Sequence, residues 1–131
     1  GGEFRSTVKL RDGVTVPDLE VDDPSGSARV LMLGWGSTYG PIAAAVRAAR
    51  KAGHAVARTH LRHLNPFPAN LGEVLAAYDR VIVPEMNLGQ LALLLRARYL
   101  VDVRSHTAVR GLPFTTTELA DVITAAIEEL A

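Results

Sequence analysis

Residues 30–41 decide the fold, and they read VLMLGWGSTYGP. The run Val30–Leu33 is apolar without a break, which is typical of a strand buried on both faces of a sheet. A glycine-rich turn follows, and Pro41 then suits the first position of a helix. This stretch predicts a strand–turn–helix unit, the repeating element of an α/β protein.

The same alternation continues toward the C-terminus. Further strands are predicted at residues 54–61, 81–83 and 100–103, and Ala108-Val109 can add a short fifth strand. Strands that alternate with helices form parallel sheets covered on both faces. We therefore expect a three-layer α/β/α domain with a mostly parallel sheet of four to five strands.

Helix starts are marked by residues that favour capping. The first predicted helix begins at Pro41, Asn70 and Asn87 can cap the next two, and Thr115 with Glu118 has the spacing of a capping box at the start of the last. The third helix leaves little polar surface, because leucine and alanine fill most of its positions.

Three segments divide the chain. Residues 1–6 read GGEFRS and are interpreted as a cloning remnant, because two common restriction sites encode Glu-Phe and Arg-Ser in frame. Residues 7–28 are polar and rich in turn signals, so they are predicted to be a linker outside the core. Residues 29–131 form the predicted domain.

Composition narrows the classes of function. The 131 residues include 48% apolar ones, 14 basic and 14 acidic ones, and the chain has no basic stripe, which argues against nucleic-acid and anionic-membrane partners. The absence of cysteine excludes a thiolate nucleophile and a cysteine-held iron–sulfur cluster. No apolar run reaches the ~20 residues of a membrane span, so a cytoplasmic protein is expected. The excess of arginine over lysine suggests a GC-rich bacterial source.

The turn from Gly34 to Gly40 lies where α/β proteins often bind ligands. Its glycines miss the dinucleotide fingerprint, because Tyr39 occupies the sixth position, and no acidic residue follows at the expected distance. Three interpretations stay open: a bound dinucleotide, a bound anion or polar group, and a tight structural turn.

Two other motifs allow a functional and a structural interpretation. His60 and His63 have a spacing seen in metal sites, but a hydrogen-bonded or interface role is favoured because His63 lies in a proline-rich loop. Glu85 follows a predicted strand. It either belongs to a functional site at the carboxyl end of the sheet, or its negative charge stabilises the N-terminus of the helix that Asn87 is predicted to cap.

Signatures of independent catalysis are missing. Ser37 lacks the glycines of a nucleophile elbow, and the chain has neither a phosphate-binding P-loop nor the motif that holds magnesium and thiamine diphosphate. No catalytic, cofactor-binding or metal-binding residue is therefore predicted.

Four segments in this order carry a family resemblance: Gly34–Pro41, His60–Pro68, Pro84–Leu91 and Val109–Phe114. Together they resemble the C-terminal domain of the α subunit of 2-oxoacid:ferredoxin (acceptor) oxidoreductases, most closely the 2-oxoglutarate type. The resemblance covers the chain from about Val30 onward.

The resemblance implies a fold like the C-terminal domain of transketolase-like enzymes. It further implies an enzyme that converts a 2-oxoacid and CoA to acyl-CoA and CO₂ while reducing ferredoxin. Thiamine diphosphate, magnesium and an iron–sulfur cluster would lie elsewhere in that enzyme. The expected partners are the rest of the α subunit and the β subunit, with ferredoxin and CoA at the level of the whole enzyme.

Two hypotheses follow. In the first, the chain is a non-catalytic structural and subunit-interface domain, inactive alone; in the second, it is an independent Rossmann-like module that binds a nucleotide or anion at the Gly34–Gly40 turn. The candidate interface or ligand-adjacent residues are Gly34, Trp35, Gly36, Ser37, Thr38, Tyr39, Asn65, Phe67, Glu85, Asn87, Gln90 and Arg110.

Overall fold

A computed structural model describes residues 7–9, 15–64, 66–85, 89–99, 101–107 and 113–131. The strands among them are β1 (Thr7–Lys9), β2 (Thr15–Pro17), β3 (Val21–Asp22), β4 (Val30–Trp35), β5 (Ala57–Leu61), β6 (Arg80–Glu85) and β7 (Val103–Thr107). The α-helices are α1 (Tyr39–Lys51), α2 (Leu71–Ala76), α3 (Gln90–Tyr99) and α4 (Thr116–Leu130). None of these helices is both long enough and apolar enough to cross a bilayer.

The main sheet has five strands in the order β3-β5-β4-β6-β7. The four strands from β4 to β7 are mutually parallel, while β3 pairs antiparallel with β5. One register line crosses the parallel strands through Ala57, Leu31, Val81 and Val103. These side chains are at most 2% exposed. The α/β class and the mostly parallel sheet are thus confirmed. Strands β1 and β2 pair as a separate antiparallel ribbon.

The sheet separates two hydrophobic cores. Side chains alternate along a strand, so Leu31 and Leu33 face one core and Val30 and Met32 face the other. The first core contains apolar residues of α2 and α3, and the second contains those of α1 and α4. This arrangement is the three-layer α/β/α architecture that the sequence predicts.

Helix ends follow local chemistry. Helix α1 begins two residues before Pro41 and stops just before Gly53, whose φ of +98° suits glycine. The Thr115 side chain accepts a hydrogen bond from the Glu118 backbone N–H, so this predicted N-cap of α4 is confirmed.

Part of the predicted linker belongs to the core. Leu19 and Val21 are buried in the α2–α3 core, and Val21 lies in β3 opposite Thr59. The prediction that residues 7–28 stay outside the core is therefore wrong for the stretch that includes these residues. The prediction for Asn70 is confirmed for its position and wrong for its side chain. It occupies the N-cap position of α2, but its amide instead accepts from the Leu19 backbone N–H at 2.8 Å and donates to the Leu19 carbonyl at 3.0 Å.

The last parallel strand lies later in the chain than predicted. Residues 100–103 are predicted as a strand, whereas β7 begins at Val103 and α3 extends to Tyr99. Arg96, in the last turn of α3, donates to the Val103 carbonyl at 2.6 Å. This bond links the C-terminal end of α3 to the first residue of β7. Ala108-Val109, the predicted fifth strand, lies outside the described residues.

Candidate functional site

Parallel strands end at one edge of a sheet, and the candidate residues follow those ends. Strand β4 ends at Trp35, β5 at Leu61 and β6 at Glu85. This carboxyl edge is the favoured place for ligands in an open α/β sheet. Three of the candidates, Asn65, Asn87 and Arg110, lie outside the described residues.

The Gly34 turn is closed by its own contacts. The Thr38 hydroxyl accepts from the Trp35 backbone N–H at 3.1 Å and donates to the Trp35 carbonyl at 2.9 Å. A Cβ added at Gly34 would lie 2.7 Å from Ile42 Cδ1 and 3.2 Å from His60 Nδ1. The first glycine is therefore required for close packing, and the geometry favours the tight structural turn over a preformed anion cradle.

An aromatic and cationic cluster lies beside this turn. The Tyr39 ring meets His60 edge to face with centroids 5.2 Å apart, and the Arg58 guanidinium lies 5.5 Å from the Tyr39 centroid. Burial, reinforced by the Arg62 guanidinium, lowers the pKa of His60, and its buried Nδ1 has no hydrogen-bond partner. A neutral packing role for His60 follows, rather than a charged one.

A cleft of about 510 Å³ lies between the segment 17–22 and the ends of β5 and α1. Arg58, Arg62 and His63 line it together with several carboxylates, so its lining is of mixed sign. The described residues contain no cluster of three or more histidine or carboxylate side chains that could hold a metal ion. The cleft can offer polar contacts, but it presents no nucleophile paired with a base.

The structure decides between the two interpretations of Glu85. Its side chain is 1% exposed and accepts from the backbone N–H groups of Leu91 at 2.8 Å and Ala92 at 3.3 Å. The Ser105 hydroxyl donates to the same carboxylate at 3.2 Å. These bonds satisfy amides at the start of α3, so the Glu85 carboxylate stabilises the N-terminus of this helix.

The remaining described candidates do not converge on one point. Gly36 has a φ of +62° and is exposed with Ser37, which makes both part of the turn surface. Phe67 packs against Tyr99 of α3, with ring centroids 6.0 Å apart. Gln90 is exposed at the first position of α3. The candidates thus form a turn cluster, an α3 cluster and scattered surface positions.

Sequence reasoning missed the contribution of the segment before β4. Asp22 forms ion pairs with Arg50 and Arg58, each at 3.1 Å, and the Thr59 hydroxyl donates to the Glu20 carbonyl. The signal was present: residues 19–22 alternate apolar and polar side chains, as half-buried strands do. The many turn residues around them concealed it.

The described residues do not fit thiamine diphosphate with magnesium. The Glu85 carboxylate at the sheet edge accepts from α3 amides, the Thr38 hydroxyl is bonded to Trp35, and none of the described carboxylates belongs to a group that could hold a metal ion. No catalytic step through that cofactor is derived for this chain.

Comparison with known families identifies the domain type. The family model for pyruvate:ferredoxin oxidoreductase core domain II matches residues 28–121. The 2-oxoglutarate oxidoreductase subunit KorA of Mycobacterium tuberculosis is 60% identical over 124 residues, which are 92% of this chain and 19% of that subunit. The α subunit of 2-oxoacid:ferredoxin oxidoreductase 2 of Aeropyrum pernix is 35% identical over 118 residues, 86% of this chain and 18% of the relative.

Solved structures agree with this result. The 2-oxoglutarate:ferredoxin oxidoreductase of Magnetococcus marinus, determined with 2-oxoglutarate, coenzyme A and succinyl-CoA bound, superposes with a TM-score of 0.77 at 32% identity, over 84% of this chain and 20% of that one. The α chain of a probable 2-oxoacid ferredoxin oxidoreductase from Thermoplasma acidophilum gives a TM-score of 0.57 at 21% identity, over 85% of this chain and 97% of that one, and shares the fold.

The chain spans about a fifth of the length of the curated relatives KorA and the A. pernix α subunit. Its matched region covers most of the chain, and the relatives and the M. marinus structure all carry names of 2-oxoacid oxidoreductases. The resemblance seen in the four sequence segments is thereby confirmed. This chain belongs to the pyruvate:ferredoxin oxidoreductase core domain II family, as one domain of the 2-oxoacid:ferredoxin oxidoreductase type.

Proposed function

We propose that this chain is the C-terminal domain of the α subunit of a thiamine-diphosphate-dependent 2-oxoglutarate:ferredoxin oxidoreductase and serves as a non-catalytic structural and interface domain. The complete enzyme would convert 2-oxoglutarate and CoA to succinyl-CoA and CO₂ and reduce ferredoxin. The observation that carries the substrate class is the 60% identity to KorA over 92% of the chain.

A structural role is supported by the hydrogen bonds that the polar groups at the sheet edge form within the domain itself. Glu85 is bonded to three donors of the domain itself, and Thr38 is bonded to its own turn. Groups already satisfied in this way hold elements in place, whereas a catalytic acid or base needs reach to a substrate proton.

The partners of the proposal are the rest of the α subunit, the β subunit, and ferredoxin and CoA at the level of the whole enzyme. Coenzyme A is present in the M. marinus structure, which supports its place among the substrates. Thiamine diphosphate, magnesium and the iron–sulfur cluster are assigned to other domains, and a bacterial cytoplasm is the proposed compartment.

Reconstitution tests this function. The full-length α subunit with its β subunit is assayed for dye reduction with 2-oxoglutarate and CoA, in parallel with the isolated 131-residue chain. Turnover by the complex alone is expected, since the sequence carries no thiamine diphosphate motif and the cofactor is proposed to lie in other domains. Turnover by the isolated chain would contradict the non-catalytic role, and a complex inactive on 2-oxoglutarate but active on another 2-oxoacid would correct the substrate.

Calorimetric titration of the isolated chain tests the competing nucleotide or anion module. NADH, CoA and pyrophosphate are added in turn, and no heat is expected because the Gly34 turn is closed by Thr38. Micromolar binding that a Ser37→Ala change weakened would favour the module instead.

A further inference from the structure

Helix α3 differs from its neighbours on the side that faces away from the sheet. Leu91, Ala92 and Leu95 are buried against β6 and β7, as expected for the inner face. On the outer face, however, Leu93 is 61% exposed and Leu94 is 50% exposed.

Helical geometry joins the exposed residues into one patch. Ala97 follows Leu93 by four positions and Leu94 by three, so the three side chains share a face. Ala97 is exposed as well. We name this set, Leu93, Leu94 and Ala97, the α3 patch.

Other helices of the domain carry polar outer faces. Helix α1 presents Arg47 and Lys51 to solvent, and α4 presents Asp121 and Glu128. Neighbouring exposed leucines are therefore not a general property of this surface, and such patches mark contacts with other proteins or domains.

Charge around the α3 patch points to the chemistry of its partner. Arg96 and Arg98 stand at its sides, and the helix sequence from Gln90 to Tyr99 contains no acidic residue. A second copy of the chain would bring the same two arginines to the contact and no carboxylate from this helix. The complementary surface is apolar with carboxylates at its rim.

We propose that the α3 patch docks on an apolar, carboxylate-rimmed surface of another domain of the same α subunit. This inference rests on the proposed function. In the relatives this domain is about a fifth of one polypeptide, so the remaining four-fifths lie at high effective concentration beside it. Arg98 would meet the rim of the partner surface, while Arg96 is also held by the Val103 carbonyl.

Hydrogen exchange of residues 90–99 tests the docking, measured in the isolated chain and in the full α–β enzyme. Exchange at least about tenfold slower in the enzyme is expected, because a covered helix opens less often. Leu93→Asp should remove that protection, whereas Ala125→Asp on the exposed face of α4 should leave it. Equal exchange in chain and enzyme would overturn the proposal.

Charge reversal at Arg98 tests the proposed contact with carboxylates at the rim of the partner surface. Arg98→Glu in the full enzyme should increase exchange of α3 at least severalfold, while Arg47→Glu on α1 should not. The isolated Leu93→Asp chain should melt like the wild type, since the replaced side chain is mostly exposed. If the isolated chain dimerises in sedimentation and Leu93→Asp abolishes the dimer, the occupant is a second copy and the proposal fails.

The same preparations separate the two levels of inference. Turnover of 2-oxoglutarate by the wild-type enzyme reports on the proposed function. An active enzyme with an unprotected α3 would overturn the docking alone, whereas a protected α3 in a complex without turnover would leave the docking supported and remove the proposed activity.

Discussion

Gly34 stands where β4, the start of α1 and His60 come within contact distance. Any side chain there would enter space already occupied, since a Cβ would lie 2.7 Å from Ile42 Cδ1 and 3.0 Å from Thr38 Oγ1. Gly40, in the first turn of α1, has nothing within 4 Å of the same added atom. The two glycines of one turn therefore have different reasons to be present.

Replacement by alanine should separate these reasons. Gly34→Ala should lower the free energy of unfolding by about 1–3 kcal/mol through overpacking. Gly40→Ala should change it by less than about 0.5 kcal/mol, because no atom beyond its chain neighbours and the α1 backbone lies within 4 Å of the added Cβ, and the helix preference of alanine is opposed by the position before Pro41. Urea denaturation of both variants measures the difference. Equal effects of the two changes would contradict the packing argument.

His60 makes the domain sensitive to acid. Burial lowers its pKa below the ordinary 6.5, so the unfolded chain takes up this proton at a higher pH than the folded one. The stabilising contribution is therefore present above pH 6.5 and is lost as the pH falls through the folded-state pKa.

A variant without the titrating imidazole of His60 should lose less stability when the pH falls. The urea midpoint of the wild type should fall between pH 7.5 and pH 5, and His60→Gln should show a smaller fall because glutamine does not titrate. His63→Gln, at an exposed position, is the matched control and should behave like the wild type. A wild-type slope preserved in His60→Gln would refute the assignment.

At the scale of elements, α3 depends on a residue of the preceding strand. The Glu85 carboxylate accepts from two N-terminal amides of α3, so Glu85→Ala should lower the free energy of unfolding by about 1.5–3 kcal/mol, the range for hydrogen bonds to a charged group. Glu73, in the first turn of α2, is an exposed acid whose loss should cost about 0.3–1 kcal/mol. Comparable losses, measured by urea denaturation, would show that Glu85 does not hold α3.

Elements differed in how readily the sequence predicted them. Continuous apolar runs identify β4 and β6 because both strands are buried on both faces. The edge strand β7 reads VRSHT, and its polar residues gave no signal for a strand. Strand β3 has only two residues, and the turn residues around it conceal its alternating pattern; its pairing partner, β5, lies more than 30 residues away in the sequence.

Long-range partners also explain what the sequence left open at the site. Asn70 occupies the N-cap position that asparagine favours, yet its side-chain amide is hydrogen-bonded to the Leu19 backbone, 51 residues away in the sequence. Glu85 could be assigned only when α3 and Ser105 were seen around it. Three-dimensional neighbours, rather than residue type, decided both cases.

At the scale of the whole molecule, the segment before β4 completes the sheet and one core. Leu19 and Val21 fill the α2–α3 side, Asn70 bonds the Leu19 backbone, and Asp22 pairs with Arg50. Burial of two such aliphatic side chains contributes about 1.5–3 kcal/mol each. With its polar contacts, the segment contributes on the order of 5 kcal/mol.

A chain that starts at Arg29 should therefore fail as a domain. The stability lost with residues 16–28 is comparable with the ~5–15 kcal/mol total of a typical domain, and their removal exposes the edge of β5 and takes Leu19 and Val21 from the α2–α3 core. Circular dichroism and thermal melting should show an unfolded or aggregating product, whereas removal of residues 1–6 should leave the melting temperature unchanged. A cooperative transition at the wild-type temperature in the Arg29 chain would mean that the parallel strands and their helices form a self-sufficient core, and that residues 16–28 only cover it.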